Sequence, residues 1–192
     1  TVEFVHHMDK VERLVQRYDI RRGVGVNRLD HINIAIPDVP AAYEYYTSLG
    51  FGLSETIEDL EKGILFAAWM YRKQTVHDIA FTLGSGPMLH HVAFAVPESH
   101  NILTLCDTIG ARNQAFFIER GPGRHGVSNA FYLYLRDHDG HRIEVYTTDA
   151  PTGIGLVRAP FALTLDDAPG VQALFVVGAA SPLDARTVRA AV

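Results

Sequence analysis

The sequence predicts an α+β protein made of two tandem βαβββ modules that together form one open barrel. Three observations carry that prediction. Leu29-Asp30-His31-Ile32-Asn33-Ile34-Ala35-Ile36-Pro37 is answered, 60 residues later, by Leu89-His90-His91-Val92-Ala93-Phe94-Ala95-Val96-Pro97. A repeat of that period, longer than one supersecondary unit, marks a duplicated module. Within each copy the residues alternate: His31, Asn33 and Ala35 share one strand face, as do His91, Ala93 and Ala95, while Ile32, Ile34, Ile36, Val92, Phe94 and Val96 take the other. After each proline comes a helical pattern and then three more short apolar runs, which gives β-α-β-β-β twice.

The elements follow in order. Thr1-Val2-Glu3-Phe4-Val5 resembles Arg142-Ile143-Glu144-Val145-Tyr146, so residues 1–27 read as the end of an earlier module followed by a polar connector closing at Gly23-Val24-Gly25. The first module spans 28–86. Its strand Leu29 to Ile36 leads into a helix entered through Pro37-Asp38-Val39-Pro40, with Asp38 as N-cap and Pro40 in the first turn. Strands near Gly52 to Ile57, Ile64 to Arg72 and Asp78 to Leu83 complete it. The second module spans 87–149: a strand Leu89 to Val96, a helix near Ser99 to Ile109, and strands at Ala115 to Ile118, Ala130 to Arg136 and Arg142 to Thr147. Leu49-Gly50-Phe51 and Ile109-Gly110-Ala111 are expected to stop the two helices. Asp137-His138-Asp139-Gly140 reads as a hairpin turn. Residues 150–192 read as a tail or lid, with short strands at Leu163 to Leu165 and Leu174 to Val177 and only Phe161 and Phe175 as aromatics.

Composition narrows the function. With 192 residues, 47% hydrophobic and 20% charged, the chain is ordinary globular material with room for one sizeable core or two small fused ones. A net charge of -5 with scattered Lys and Arg gives no footprint for nucleic acid. No apolar run reaches membrane-span length, so no membrane partner is expected. Cys106 is the single cysteine and cannot form an internal disulfide, which fits a reducing cytoplasm.

The repeat makes His31 and His91 equivalent, each among small residues that leave room for a ligand. Taken alone, a histidine on a strand reads as structural. Glu144 adds a carboxylate inside the apolar run Ile143-Glu144-Val145, where burial without a partner would be costly. Its counterpart in the first module is Ala80, so a single carboxylate joins the two imidazoles and the predicted site is mononuclear. Two histidines and one carboxylate with open positions form the facial set associated with non-haem Fe(II), and Mn(II) accepts the same ligands.

These residues carry a resemblance. The segments around His31 and His91, Lys73-Gln74-Thr75-Val76-His77-Asp78 and Glu119-Arg120-Gly121-Pro122-Gly123-Arg124-His125-Gly126 through Tyr134 resemble the type I extradiol ring-cleaving dioxygenases of the vicinal oxygen chelate superfamily, over roughly residues 3–150. The resemblance implies the glyoxalase/bleomycin-resistance/dihydroxybiphenyl-dioxygenase fold, with His31, His91 and Glu144 as metal ligands. It implies His77 as acid/base and Tyr134 as hydrogen-bond donor to the reacting group. Asn33, Trp69, Arg120, His125 and Tyr146 would line the substrate and oxygen pocket. It further implies a homo-oligomer that opens a catechol, homoprotocatechuate or a related carboxylated catechol, with O2 to a 2-hydroxymuconate semialdehyde. Without the resemblance, Trp69 reads equally as core, Arg120 as a loop charge and Gly121-Pro122-Gly123 as a turn. Two alternatives stay open at this point: another metal-dependent enzyme of the same fold, a glyoxalase or a fosfomycin thiol transferase, and a non-catalytic small-molecule binding module.

Overall fold

The computed structural model describes residues 5–10, 17, 19–20, 23–59, 62–73, 75–125, 128 and 130–147, and the backbone of three short strands beyond them. The first repeated run forms β1 (Arg28–Ile36), and Pro37 ends it. Helix α1 (Val39–Ser48) starts at Asp38, whose carboxylate accepts a hydrogen bond from the Ala41 backbone N–H at 2.9 Å, satisfying one orphan donor of the first turn. Gly50, at φ 85°, turns the chain out of α1 into β2 (Gly52–Asp59), followed by β3 (Ile64–Tyr71) and β4 (Ile79–Leu83). The second copy runs β5 (Met88–Val96), α2 (Ser99–Ala111), β6 (Ile118–Arg124), β7 (Phe131–Arg136) and β8 (Arg142–Thr147). Glu98 and Asn101 close a capping box at the start of α2.

Within the second module two details differ from expectation. Gly110 lies inside α2 rather than ending it, and Asn113, at φ 57°, takes the left-handed position instead. Asparagine tolerates that conformation, so the glycine of the repeat is not needed there. The run Ala115 to Ile118 is a 3-10 turn over Ala115–Phe117, and the strand begins at Ile118 and continues through Gly121-Pro122-Gly123. Sequence alternation is weak there because the glycines carry no pattern.

The strands share one open sheet in the order β2-β3-β4-β1-β5-β8-β7-β6. Three tail strands, β9 (Phe161–Leu163), β10 (Leu174–Gly178) and β11 (Val188–Ala190), extend its β2 edge, β10 pairing antiparallel with β2. The expected strand at Leu163 to Leu165 is thus found two residues earlier. Thr1 to Phe4, Leu165 and Asp166 to Ala168 lie outside the described residues. No helix is long and apolar enough to cross a membrane among the described residues.

Each module keeps its own core on the helix side of the sheet. Val39, Ala68, Met70 and Phe81 cluster under α1 with Ile34 and Ile36 against them, and Val96, Ile102, Leu133 and Val145 cluster under α2. Full burial of each large side chain contributes about 1.5–3 kcal/mol, enough to fix which face of every strand turns away from the helices. On that opposite face, paired residues line up in two rows that the repeat relates to one another. One row is Arg120-Tyr134-Glu144-Ala93-His31, the other Glu55-Trp69-Ala80-Asn33-His91. The rows meet where β1 lies beside β5, so the internal symmetry of the chain brings the two histidines together.

Candidate metal centre

His31, His91 and Glu144 are buried, at 3%, 3% and 1% relative exposure, a burial that charged and polar groups tolerate only when partnered. Nε2 of His31 and Nε2 of His91 are 3.2 Å apart, and each is 3.1 Å from Oε2 of Glu144. This trio is a group of potential metal-binding side chains with one donor atom from each residue. Its geometry fits a divalent ion: three donors in cis positions of an octahedron with bonds of about 2.2 Å are separated by that length times √2, about 3.1 Å. A tetrahedral site of the same edge would need bonds of about 1.9 Å, shorter than usual for zinc and nitrogen. The donor set of two imidazoles and one carboxylate is the facial set that leaves positions open.

The surroundings poise these groups differently. Burial alone would raise the Glu144 carboxyl, but hydrogen bonds from His125, His31 and His91 hold it well below the usual carboxylate range. His125 reaches the second oxygen, Oε1, at 2.7 Å, leaving Oε2 to face the histidines. For His31, burial works downward but the carboxylates of Asp30 and Glu144 win and its pKa is raised. His91 is lowered, chiefly by burial, with Glu144 opposing.

His77 stands beside the trio, its ring 4.0 Å from that of His31, centroid to centroid. The turn that carries it is organised by the next residue. Asp78 accepts hydrogen bonds from the backbone N–H groups of Arg72 and Lys73 at 2.6 and 2.9 Å and from the Thr75 hydroxyl at 2.9 Å. His77 itself is buried, and neither of its ring nitrogens has a hydrogen-bond partner among the described residues. Burial, with His31 adding repulsion, lowers its pKa well below the usual value, so it is neutral. A buried polar group left unpaired is uncommon and marks a place where a ligand can supply the partner.

The other expected residues fall around this point. Asn33 is buried and accepts from the Thr82 hydroxyl at 3.1 Å. Trp69 sits in the row next to Ala80. The Tyr134 ring is 5.3 Å from His91 and Tyr146 stands edge-on to His31 at 5.1 Å, both hydroxyls raised in pKa by burial and therefore protonated. Arg120 is exposed, at the end of the row that contains Tyr134 and Glu144. His125 is stacked on Tyr132 at 3.8 Å, and its Nε2 lies 2.7 Å from Oε1 of Glu144. Sequence reasoning did not single out Asp30, 3.0 Å from His31, His90, 2.7 Å from His91, or Arg142, which donates to His90, nor Glu55, which occupies in the first module the position of Arg120. The repeat held the signal: Asp30 and His90 are equivalent positions, one before each histidine. His90, half-buried and faced by His91 and Arg142, is pushed down to about 4, chiefly by burial.

Comparison with known proteins accords with this geometry. Residues 28–145 match the Glyoxalase/Bleomycin resistance protein/Dioxygenase superfamily. A metapyrocatechase of Geobacillus stearothermophilus is 33% identical over 154 residues, 78% of this chain and 46% of that protein. A manganese-dependent 2,3-dihydroxybiphenyl 1,2-dioxygenase of Geobacillus genomosp. 3 is 34% identical over 65% of this chain and 41% of that protein. Among solved structures, homoprotocatechuate 2,3-dioxygenase of Arthrobacter globiformis is 58% identical with a TM-score of 0.68, covering 73% of this chain and 45% of that one. The Brevibacterium fuscum enzyme in complex with 3,4-dihydroxyphenylacetate is 57% identical with a TM-score of 0.69, covering 73% and 44%. The chain therefore spans somewhat under half the length of these relatives. Matched over more than half of its own length, with the paired βαβββ modules and a buried His-His-Glu trio between them, the chain belongs to the glyoxalase/bleomycin resistance protein/dioxygenase superfamily.

Proposed function

We propose that this chain carries the catalytic centre of an extradiol dioxygenase that opens a catechol with O2 at a single Fe(II) or Mn(II) held by His31, His91 and Glu144. The observation that carries the reading is the buried donor triangle with an unpartnered His77 imidazole against it. The names of the relatives, catechol-type ring-cleaving enzymes and one manganese-dependent enzyme, support the same class. A divalent ion at this site would lower the pKa of a phenol enough for a catechol to bind as an anion and would leave a neighbouring position for O2.

The roles of the side chains follow from their places. His77, neutral and without another partner, takes a proton from a catechol hydroxyl and returns one to the oxygen that leaves it during ring opening. Tyr134, protonated, donates a hydrogen bond toward the ring carbon substituents above His91. Asn33 offers an amide already oriented by Thr82, and Trp69 and Tyr146 wall the pocket and exclude water. His125 keeps Glu144 charged and fixes which oxygen faces the histidines. Arg120, at the rim, pairs with a substrate carboxylate bidentately, as a lysine would not. Both atoms of O2 enter the product, a 2-hydroxymuconate semialdehyde, with homoprotocatechuate or a related carboxylated catechol as substrate. The same reading places the protein in the cytoplasm, where a lone Cys106 stays reduced, as a homo-oligomer.

The test is oxygen uptake with 3,4-dihydroxyphenylacetate in air after anaerobic loading with Fe(II) or Mn(II). One O2 consumed per yellow ring-fission product formed is expected. Bound metal without oxygen uptake on any catechol would move the reading to a glyoxalase-type or thiol-transfer enzyme, and no metal at all to a binding module.

A further inference from the structure

The turn between β3 and β4 and the turn between β7 and β8 are counterparts in the two modules, but they treat their histidines differently. Matching Ile79-Ala80-Phe81 to Ile143-Glu144-Val145 makes His77 and His141 equivalent, yet His77 is buried beside His31 and His141 is exposed. The two turns are closed by an aspartate from opposite ends. In the second module Asp137, at the start, accepts from the backbone N–H groups of Asp139 and His141 at 3.0 and 2.8 Å, and seven residues, 136–142, separate the paired Leu135 and Ile143. In the first module Asp78, at the end, reaches back to the N–H groups of Arg72 and Lys73, and eight residues, 71–78, separate the paired Met70 and Ile79. One added residue and a displaced aspartate thus accompany the turning of His77 into the site.

The His77 ring makes no hydrogen bond among the described residues, so its placement falls to the backbone on either side of it. Both neighbouring peptides are held. Ser54, buried on β2, donates its hydroxyl to the Val76 carbonyl. The Asp78 N–H donates to the Met70 carbonyl at 2.8 Å, and the Asp78 carbonyl accepts from the N–H of Ile32, next to His31, at 3.2 Å. The Asp78 carboxylate then closes the turn with two donors on each oxygen, the backbone N–H groups of Arg72 and Lys73 on Oδ2 and the Thr75 hydroxyl and Lys73 ammonium on Oδ1, the latter at 2.9 and 2.6 Å. We propose that Asp78 and Ser54 are positioning residues that hold the His77 imidazole against the His31-His91-Glu144 trio, acting through the backbone beside His77 and not on its ring. The leverage is large, because a displacement of about 1 Å in a reacting group costs about 10²-fold in rate. The inference rests on the reading of His77 as the proton-transfer group.

The experiment combines two readouts on the same chain. The first needs no metal: the rate at which diethyl pyrocarbonate labels each histidine, read by peptide mapping. Asp78→Ala and Ser54→Ala are each expected to raise the His77 rate by about tenfold, the size of one lost hydrogen bond, while His91 stays slow. Asp78→Asn, which keeps an acceptor oxygen for the two backbone N–H groups, is expected to label like the unaltered chain. The second readout is steady-state oxygen uptake by the metal-loaded chain with 3,4-dihydroxyphenylacetate. Asp78→Ala is expected to lower kcat by about 10²-fold with KM nearly unchanged, Asp78→Asn to recover most of that loss, and Asp78→Ala to cost a His77→Leu chain no further activity. An equally large loss on adding Asp78→Ala to His77→Leu would overturn the proposal, because the aspartate would then act on more than His77. So would His77 labelling at the unaltered rate in Asp78→Ala and Ser54→Ala, and Ser54→Ala decides by the same labelling if Asp78→Ala does not fold. No oxygen uptake by the unaltered chain on any catechol would instead defeat the ring-opening reading, with the labelling still deciding what holds His77.

Discussion

His77→Leu should make the metal-free protein more stable while sharply lowering the proposed ring-opening activity. The imidazole is buried at 3% exposure, has no hydrogen-bond partner among the described residues, and is repelled by the neighbouring His31. Leaving a buried polar group unsatisfied costs about 1–3 kcal/mol, and leucine, close to histidine in volume, removes that cost without opening a cavity. For a chain of this size each kcal/mol is worth about 2–4 °C, so the melting temperature of the metal-free chain should rise by about 4 °C. Removing a proton-transfer group should lower the ring-opening rate by a factor of about 10²–10⁴. Thermal melts in chelator, with oxygen uptake by the metal-loaded protein, give both numbers. A fall in melting temperature of the metal-free variant would refute the reasoning, because it would show that His77 is held by structural contacts rather than kept free for a substrate.

Ala80→Glu restores, in the first module, the carboxylate that the second carries at Glu144, because the register places Ala80 opposite Asn33 as it places Glu144 opposite Ala93. The variant should keep bound metal and lose anaerobic catechol binding by more than about 100-fold, since a second carboxylate fills a position a substrate oxygen needs; unchanged catechol binding would contradict the symmetry argument. Glu119 predicts an acid dependence, since hydrogen bonds from Arg142, with Arg136 in support, bring its carboxyl down to about 2. A depressed carboxyl contributes stability in full above its unfolded pKa of about 4.3 and loses it as pH falls through the folded value. Glu119→Gln should therefore destabilise at pH 7 by about 1 kcal/mol, the scale of a solvent-screened ion pair, and the difference from the unaltered chain should shrink between about pH 4 and 2. Denaturant melts at the two pH values check the sign.

Much of this arrangement was legible in the sequence because the duplication wrote it twice. The 60-residue offset between His31 and His91 singles out His91 rather than His90 as the side chain that meets His31 and Glu144, and aligning Ile79-Ala80-Phe81 with Ile143-Glu144-Val145 gives the register seen across the sheet. Asp38 as N-cap and the strand boundaries near Pro37 and Pro97 follow from local chemistry that tertiary contacts do not override. What stayed hidden is what period-2 alternation cannot express. Strict alternation puts Asp30 and His90 on the helix side of their strands, and register shifts in the β1-β5 ladder at these two residues bring Asp30 to Nδ1 of His31 and His90 to Nδ1 of His91. The role of His125 depends on a loop returning 19 residues before Glu144, a long-range contact with no local signature. At Gly110 the repeat misled, because helix α2 continues to Ala111 and Asn113 makes the turn.

The central claim is that His31, His91 and Glu144 together hold one divalent metal. Metal analysis of the chain after anaerobic incubation with Fe(II) or Mn(II) and removal of excess, beside His91→Ala treated alike, tests it most directly. The account predicts about one equivalent in the unaltered chain and a large loss in the variant, since two remaining donors make a weak site. No retained metal in the unaltered chain, or equal retention in both, would contradict it.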